Sequence, residues 1–205
     1  MRDFLKRRTA KLRLKWEVRR AARSGKPIRI VVGAAALYQP GWMPTEEYSL
    51  NLLAKDDWEY VFGGTAGIDV ILAEHVWEHL TEEEGTLGLR NCFEYLRPGG
   101  YLRIAVPDGF HPDESYIHYV KPGGHGAGAD DHKILYSFET LGAAMESAGF
   151  TCHMLEYWDR SGEFHFADWT EESGLIRRSK RFDPRNAAGE LKFTSLIIDG
   201  VKLGN

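Results

Sequence analysis

The densest run of titratable side chains in this 205-residue chain is ILAEHVWEHLTEEEG, residues 71–85, which holds Glu74, His75, Glu78 and His79. Imidazoles exchange protons near neutral pH and bind metals, and carboxylates orient them. Two chemistries fit the run. In the first, His75-x-x-Glu78-His79 is the spacing of a zinc hydrolase, with both imidazoles on a metal held by one helix. In the second, a buried strand ends at Glu74 and His75 and presents them as acid–base groups. The zinc reading needs a helix through His75, but the apolar run IDVILAE leads straight into it. The strand reading places Glu74 and His75 at the carboxyl end of a central strand, where open α/β sheets bind ligands.

Two further groups carry potential chemistry. In GADDHKILY, 128–136, Asp131 beside His132 is the pattern of a carboxylate-oriented base that takes a proton from a hydroxyl or amine. The alternative is a helix-capping aspartate with a surface histidine. His111, His118, His125 and His132 recur at seven-residue intervals, but Pro112, Pro122 and the intervening glycines preclude one helix carrying all four. A loop covering the site is expected there, with no metal. The basic run SGLIRRSKRFDPRN, 173–186, reads either as a hydrated hairpin or as a rim holding an anionic or sugar-like acceptor through Arg178 and Arg185.

These groups need a scaffold. IRIVVGAAA (28–36), IDVILAE (68–74) and YLRIAVPD (101–108) are apolar runs of buried-strand type. WMPTE (42–46) and SLNLL (49–53) read as short strands, and TCHMLEYW (151–158) and TSLIIDGV (194–201) as the last two. KDDWEYVF (55–62) has helical spacing and ends at Gly63-Gly64. Thr81 with Glu84 forms a capping box for a second helix. FETLGAAMESAGF (138–150) reads as a third, and 109–135 as loop. Strands alternating with helices predict a doubly wound α/β sheet.

A separate arm precedes this body. Residues 1–24 carry ten Lys/Arg against Asp3 and Glu17, a net of +8; the remaining 181 residues carry 16 basic and 28 acidic groups, a net of −12. An acidic body argues against a broad nucleic-acid surface. Residues 2–24 read as a helix with Leu5, Leu12 and Trp16 near one face. Either that stripe packs on the domain, or the arm meets an anionic membrane surface, an RNA or a partner protein. The domain boundaries are set at 1–26 for the basic helix and 27–205 for the body, with insertions at 109–135 and 160–193. Cys92 and Cys152 lie far apart, no apolar run reaches 18 residues and no secretory signal is evident. A reduced, cytoplasmic protein is expected.

The succession of strand, EHVWEHL, helix, YLRPGG and YLRIAVPD resembles the class I S-adenosylmethionine-dependent methyltransferases. The closest likeness is to a bacterial subgroup whose glycine loop runs almost directly into a PGW turn, here Pro40-Gly41-Trp42. The resemblance implies a Rossmann-like fold, S-adenosylmethionine as cofactor and a small-molecule or glycan acceptor. It places the cofactor against Gly33, Ala34 and Ala35, where one glycine of the G-x-G loop is replaced by alanine. Glu46 matches the acid that takes the ribose hydroxyls; Asn51, Asp57 and Trp58 fall near the adenine, with Trp58 equally readable as a core residue of its helix, and Glu74 faces the cofactor. His75, Asp131 and His132 are then the candidate catalytic groups, with His111, Arg178 and Arg185 toward the acceptor. Two other readings stay open: a non-catalytic scaffold of the same fold, and the zinc hydrolase.

Overall fold

The computed structural model describes residues 2–35, 39–63 and 67–204. Its helices are α1 Arg2–Arg23, α2 Lys55–Phe62, α3 Glu82–Tyr95, α4 Glu114–Val120 and α5 Phe138–Ser147; its strands are β1 Arg29–Val32, β2 Met43–Pro44, β3 Ile68–Glu74, β4 Leu96–Pro107, β5 Thr151–Trp158, β6 Phe164–Phe166 and β7 Ser195–Val201. The strands form one seven-stranded sheet in the order β2-β1-β3-β4-β7-β5-β6. The β2, β1, β3 and β4 neighbours are parallel, and β7 enters antiparallel between β4 and β5. This is the Rossmann-like α/β class read from the sequence. All the parallel strands point their carboxyl ends to one edge, where β7 begins.

Both faces of such a sheet require cover. On one face, Ile30, Val32, Ile71, Ala73, Leu102 and Ile104 pack into a core with residues of α1, α2, α3 and α5. On the other face, Val31, Leu72, Ala105 and Ile197 are covered by Trp42, Ile176 and Trp169. The polar excursion 167–193 thus does for this face what helices do for the first. It is pinned by Arg103, only 2% exposed, whose Nε and Nη2 donate to the Asp199 carboxylate at 2.7 Å each. Nη1 of Arg103 donates to the Gly174 carbonyl at 2.7 Å and the Ser173 hydroxyl at 3.1 Å.

Local signals placed most elements well. The Thr81/Glu84 capping box starts α3, and Gly63 closes α2 in the left-handed region at φ +73°. Gly64 and Ala36 lie outside the described residues. Four expectations fail. SLNLL is not a strand: Glu46 opens a turn that its carbonyl holds through Ser49 and Leu50 amides. FHF at 164–166 pairs with β5 as an unforeseen hairpin strand. The segment 109–135 contains α4, capped by the Asp113 side chain on the Ser115 amide, with Tyr116 and Val120 buried at helical spacing. In α1, Leu14, Val18 and Ala21 face the core, while Leu5, Leu12 and Trp16 are 54%, 48% and 58% exposed. Lys11 of α1 forms an ion pair with Asp57, and Lys15 lies over the Tyr60 ring at 4.0 Å, so the two salient aromatic and basic features orient the helix by charge. Among the described residues, no helix is long and apolar enough to cross a membrane.

Candidate functional site

β3 runs Ile68–Glu74 and stops because His75 adopts φ +55°. A non-glycine residue in the left-handed region is uncommon and costs of order 1–3 kcal/mol, a strain that clusters at functional sites. The turn lifts the imidazole out of the sheet at its carboxyl edge while the His75 amide still donates to Ala105 O. A single 3-10 turn, Trp77–His79, follows, with Trp77 sealed in the core. That turn brings Glu78 back beneath His75: Glu78 Oε1 lies 2.9 Å from His75 Nδ1. On the other side, His75 Nε2 lies 3.0 Å from Ser195 Oγ, the first residue of β7. Glu78 is 1% exposed. Burial pushes its carboxyl up, but the charge and contact of His75 outweigh this and hold it below the usual glutamate value. A carboxylate at Nδ1 fixes the proton there and leaves Nε2 as an acceptor, which is the tautomer of a general base.

His75 and Ser195 open into a cavity of about 260 Å³, bounded by Tyr116, Tyr119, His132, Arg178 and Arg185 among others. This lies close to the lower limit of ordinary small-molecule pockets, about 300 Å³. Its wall combines two guanidinium groups, two phenols and the base. Arg185 is held over the Phe193 ring at 3.8 Å and doubly bonded to Asp183.

The glycine turn packs on Val76, the residue that follows the base. Gly33 has φ +60°, and a Cβ there would stand 2.7 Å from Val76 Cγ2. The residue after the base therefore packs directly on the turn, and only glycine satisfies both the dihedral and the approach. Ala35 follows at φ +46°, and the Ala34 amide donates to Thr45 O, joining the turn to the end of β2. Glu46 comes next, half-buried, with its amide donating to Ser49 Oγ at 2.9 Å.

Several residues named from the sequence sit elsewhere. Trp58 is fully enclosed, with its indole N–H on Leu52 O and its ring tilted against Phe62 and Tyr95; it is a core residue and no ligand at the sheet edge reaches it. Asp57 is engaged by Lys11 and by the Asn51 amide, so it docks α1. The Asn51 side chain closes its own turn onto the Leu53 amide. The Glu74 carboxylate accepts from the Arg178 amide at 2.7 Å, which draws the 173–186 segment across the edge. His111 is buried and stacked on Tyr116 at 4.0 Å; Nδ1 accepts from the Asp113 amide, so Nε2 donates to Leu191 O. Burial lowers its pKa, and with both nitrogens occupied it is a clamp between two loops. Asp131 does not orient His132. It lies 3.3 Å from His79 Nδ1, while His132 Nδ1 is bonded to Val120 O at 2.6 Å. The helix that the H-x-x-E-H reading needs is absent among the described residues, and His75 and His79 point to different partners.

The sequence reading missed Ser195 as a site residue and treated Glu78 only as part of the zinc pattern. Ser195 carries no local motif. Its signal lies in topology alone, since an antiparallel strand beside β4 begins where β4 ends, opposite Pro107.

No protein-family model matches this chain, and no curated protein matches it. Solved structures similar to it include several methyltransferases. One is a SAM-dependent methyltransferase from Archaeoglobus fulgidus (18% identity, 93% of each chain covered, TM-score 0.45). Another comes from Thermotoga maritima (14% identity, 98% of this chain and 93% of that one, TM-score 0.48). A third is the Burkholderia thailandensis 1,6-didemethyltoxoflavin-N1-methyltransferase bound to its namesake and S-adenosylhomocysteine (16% identity, 97% and 78% covered, TM-score 0.48).

Proposed function

We propose that this chain is an S-adenosylmethionine-dependent methyltransferase acting on a small acceptor with a protonated oxygen or nitrogen. The observation that carries the reading is the contact of the Gly33 turn with Val76, which sets a left-handed glycine turn beside the His75 base. The described residues suit the cofactor. Gly33 and Ala35 supply a left-handed turn whose backbone a ligand can approach, and Glu46 stands at the end of β2 with a carboxylate suited to paired hydroxyls. S-adenosylmethionine supplies the methyl group on a sulfonium. The acceptor enters the cavity, and Arg178 and Arg185 hold an anionic or sugar-like part of it. With the cofactor bound, His75 Nε2 would take the acceptor proton while the sulfonium supplied the methyl group to the acceptor atom. Glu78 stabilises the imidazolium, and Ser195 holds the ring in place before the acceptor arrives.

Calorimetric titration of the full chain with S-adenosylmethionine tests this reading. Binding that weakens in Glu46→Ala supports it; no heat and no thermal shift at millimolar cofactor leaves the non-catalytic scaffold instead. The domain division into a basic helix and a methyltransferase-like body, and contact of α1 with an anionic surface or a partner protein, belong to the same proposal.

A further inference from the structure

Three donors stand together beside the cavity: two histidines that the proposed methyl transfer does not use, and the Glu78 that faces His75. Glu78, His79 and His132 each offer a ligand atom, and the three atoms lie within 4.8 Å of one another. Histidine ligands of metals donate their second ring nitrogen to a carboxylate or a backbone carbonyl. Both histidines here do so. His79 turns Nδ1 to the Asp131 carboxylate at 3.3 Å, and His132 turns Nδ1 to Val120 O at 2.6 Å. Each ring thereby presents Nε2, unprotonated, as its remaining donor. The rings meet edge to face with centroids 4.8 Å apart.

Glu78 gives an independent sign of a missing ligand. Both carboxylate oxygens are buried and neither has a hydrogen-bond partner among the described residues; Oε1 meets His75 Nδ1 only as an ion-pair contact at 2.9 Å. A buried carboxylate left bare is costly to the fold unless a ligand meets it. The backbone holds the cluster together without that carboxylate: the Lys133 amide donates to Glu78 O at 2.6 Å and so fixes His132 against the 3-10 turn.

We infer that Glu78, His79 and His132 form a binding site for a divalent transition-metal ion of the zinc class. Two imidazoles and one carboxylate are too soft a set for magnesium or calcium. In a tetrahedral zinc site the donors are about 3.3 Å apart, so modest rotation of the half-exposed imidazoles closes the triangle. Three protein ligands leave a fourth position for another donor, and His132 also lines the cavity. A metal there binds an acceptor oxygen or a water, while Glu78 Oε1 stays on His75. The site stands on these residues alone and does not require the methyl-transfer reading. It also departs from the sequence expectation of no metal. The second His/acid cluster, Asp159, Glu163 and His165, lacks the same sign, because Asp159 is already satisfied by Ser161, Glu163 and His165.

The test uses the chelator-treated full chain titrated with Zn²⁺ by calorimetry, and Co²⁺ substitution followed by visible absorption. One ion per chain and a Co²⁺ spectrum of low-coordinate type are expected. His79→Ala and His132→Ala are expected to weaken Zn²⁺ by more than about 100-fold, and Asp131→Asn, which changes only the orienting carboxylate, by about 10–100-fold. His165→Ala, in the other cluster, leaves binding intact. Circular dichroism of each variant establishes that it is folded, and His79→Ala alters a surface imidazole. Absence of stoichiometric Zn²⁺ binding, or binding that survives the His79→Ala/His132→Ala pair, overturns the inference. Loss of binding in His165→Ala alone does so as well.

Discussion

His75 Nε2 and Ser195 Oγ lie 3.0 Å apart although the residues are separated by 120 positions in the chain. The sheet order explains this. β3 and β7 flank β4 on opposite sides, so the residue leaving β3 and the residue entering β7 meet over the carboxyl end of β4, beside Pro107. The strained φ of His75 is what turns its ring across that gap. The two partners divide the work: Glu78 sets the tautomer, and Ser195 occupies Nε2 until an acceptor does.

If His75 is the base, His75→Ala lowers methyl transfer by about 10²–10⁴-fold while leaving S-adenosylmethionine affinity unchanged. Ser195→Ala, which removes one neutral hydrogen bond, lowers it by about 10-fold or less. Transfer of labelled methyl from the cofactor into a small-molecule extract gives the rates, and calorimetry gives the affinity. Equal rates for His75→Ala and wild type would remove the base assignment.

Asp108 makes stability depend on acid in an unusual direction. It is fully buried at the end of β4, where both carboxylate oxygens accept backbone amides, Phe110 at 3.0 Å and Trp158 at 2.8 Å. Burial outweighs those bonds and pushes its pKa from 3.8 to about 6. Between these values the folded chain keeps a proton that the unfolded chain has lost, so stability falls as pH rises. The shift of about two pK steps corresponds to roughly 3 kcal/mol. That contribution is present below about pH 4 and gone above about pH 6. Urea midpoints across this range are expected to fall more steeply for wild type than for Asp108→Asn; parallel profiles would refute the assignment.

The sheet and its helices were legible because their signals are local. Apolar runs without alternation mark strands covered on both faces, and Thr81/Glu84 caps its helix in the sequence as in the structure. What sequence missed depends on distant partners. Ser195 becomes a site residue only through strand order. Asp131 was assigned to its neighbour His132, but the 3-10 turn at Ala129–Asp131 aims it at His79 instead. Trp58, open in the sequence between an adenine contact and the core, is core because its spacing within α2 turns it inward. The cover given by 167–193 has no periodicity at all; it is held by Arg103 and by Gln39, whose amide pairs with the Leu175 backbone.

The two stripes of α1 make opposite predictions. Val18 is buried against the domain, whereas Trp16 is exposed. Val18→Ala is expected to cost on the order of 1–2 kcal/mol, and Trp16→Ala to stay within about 0.5 kcal/mol. Chemical denaturation measures both. If α1 meets an anionic surface, Trp16→Ala instead reduces co-sedimentation with vesicles rich in phosphatidylserine. A large stability loss in Trp16→Ala would reverse the orientation of the helix.

The buried charge of Arg103 separates two roles that a single substitution mixes. Arg103→Met leaves Asp199 without its partner in a poorly solvated position, a change that costs about 3–5 kcal/mol. Pairing it with Asp199→Leu removes both charges, and apolar replacement of a buried pair is often close to neutral. The double variant therefore recovers most of the lost stability. It does not restore the donors that Arg103 gives to Gly174 O and Ser173 Oγ, so residues 173–186 lose their anchor in both variants. Tryptic cleavage within Arg177–Arg181 is expected to accelerate in the single and the double variant alike, relative to wild type. Because Glu74 and Arg178 meet through this segment, acceptor affinity falls in step with cleavage and not with stability. Wild-type cleavage rates in the double variant would show that the segment is held by its apolar contacts, Ile176 and Trp169, and not by the guanidinium.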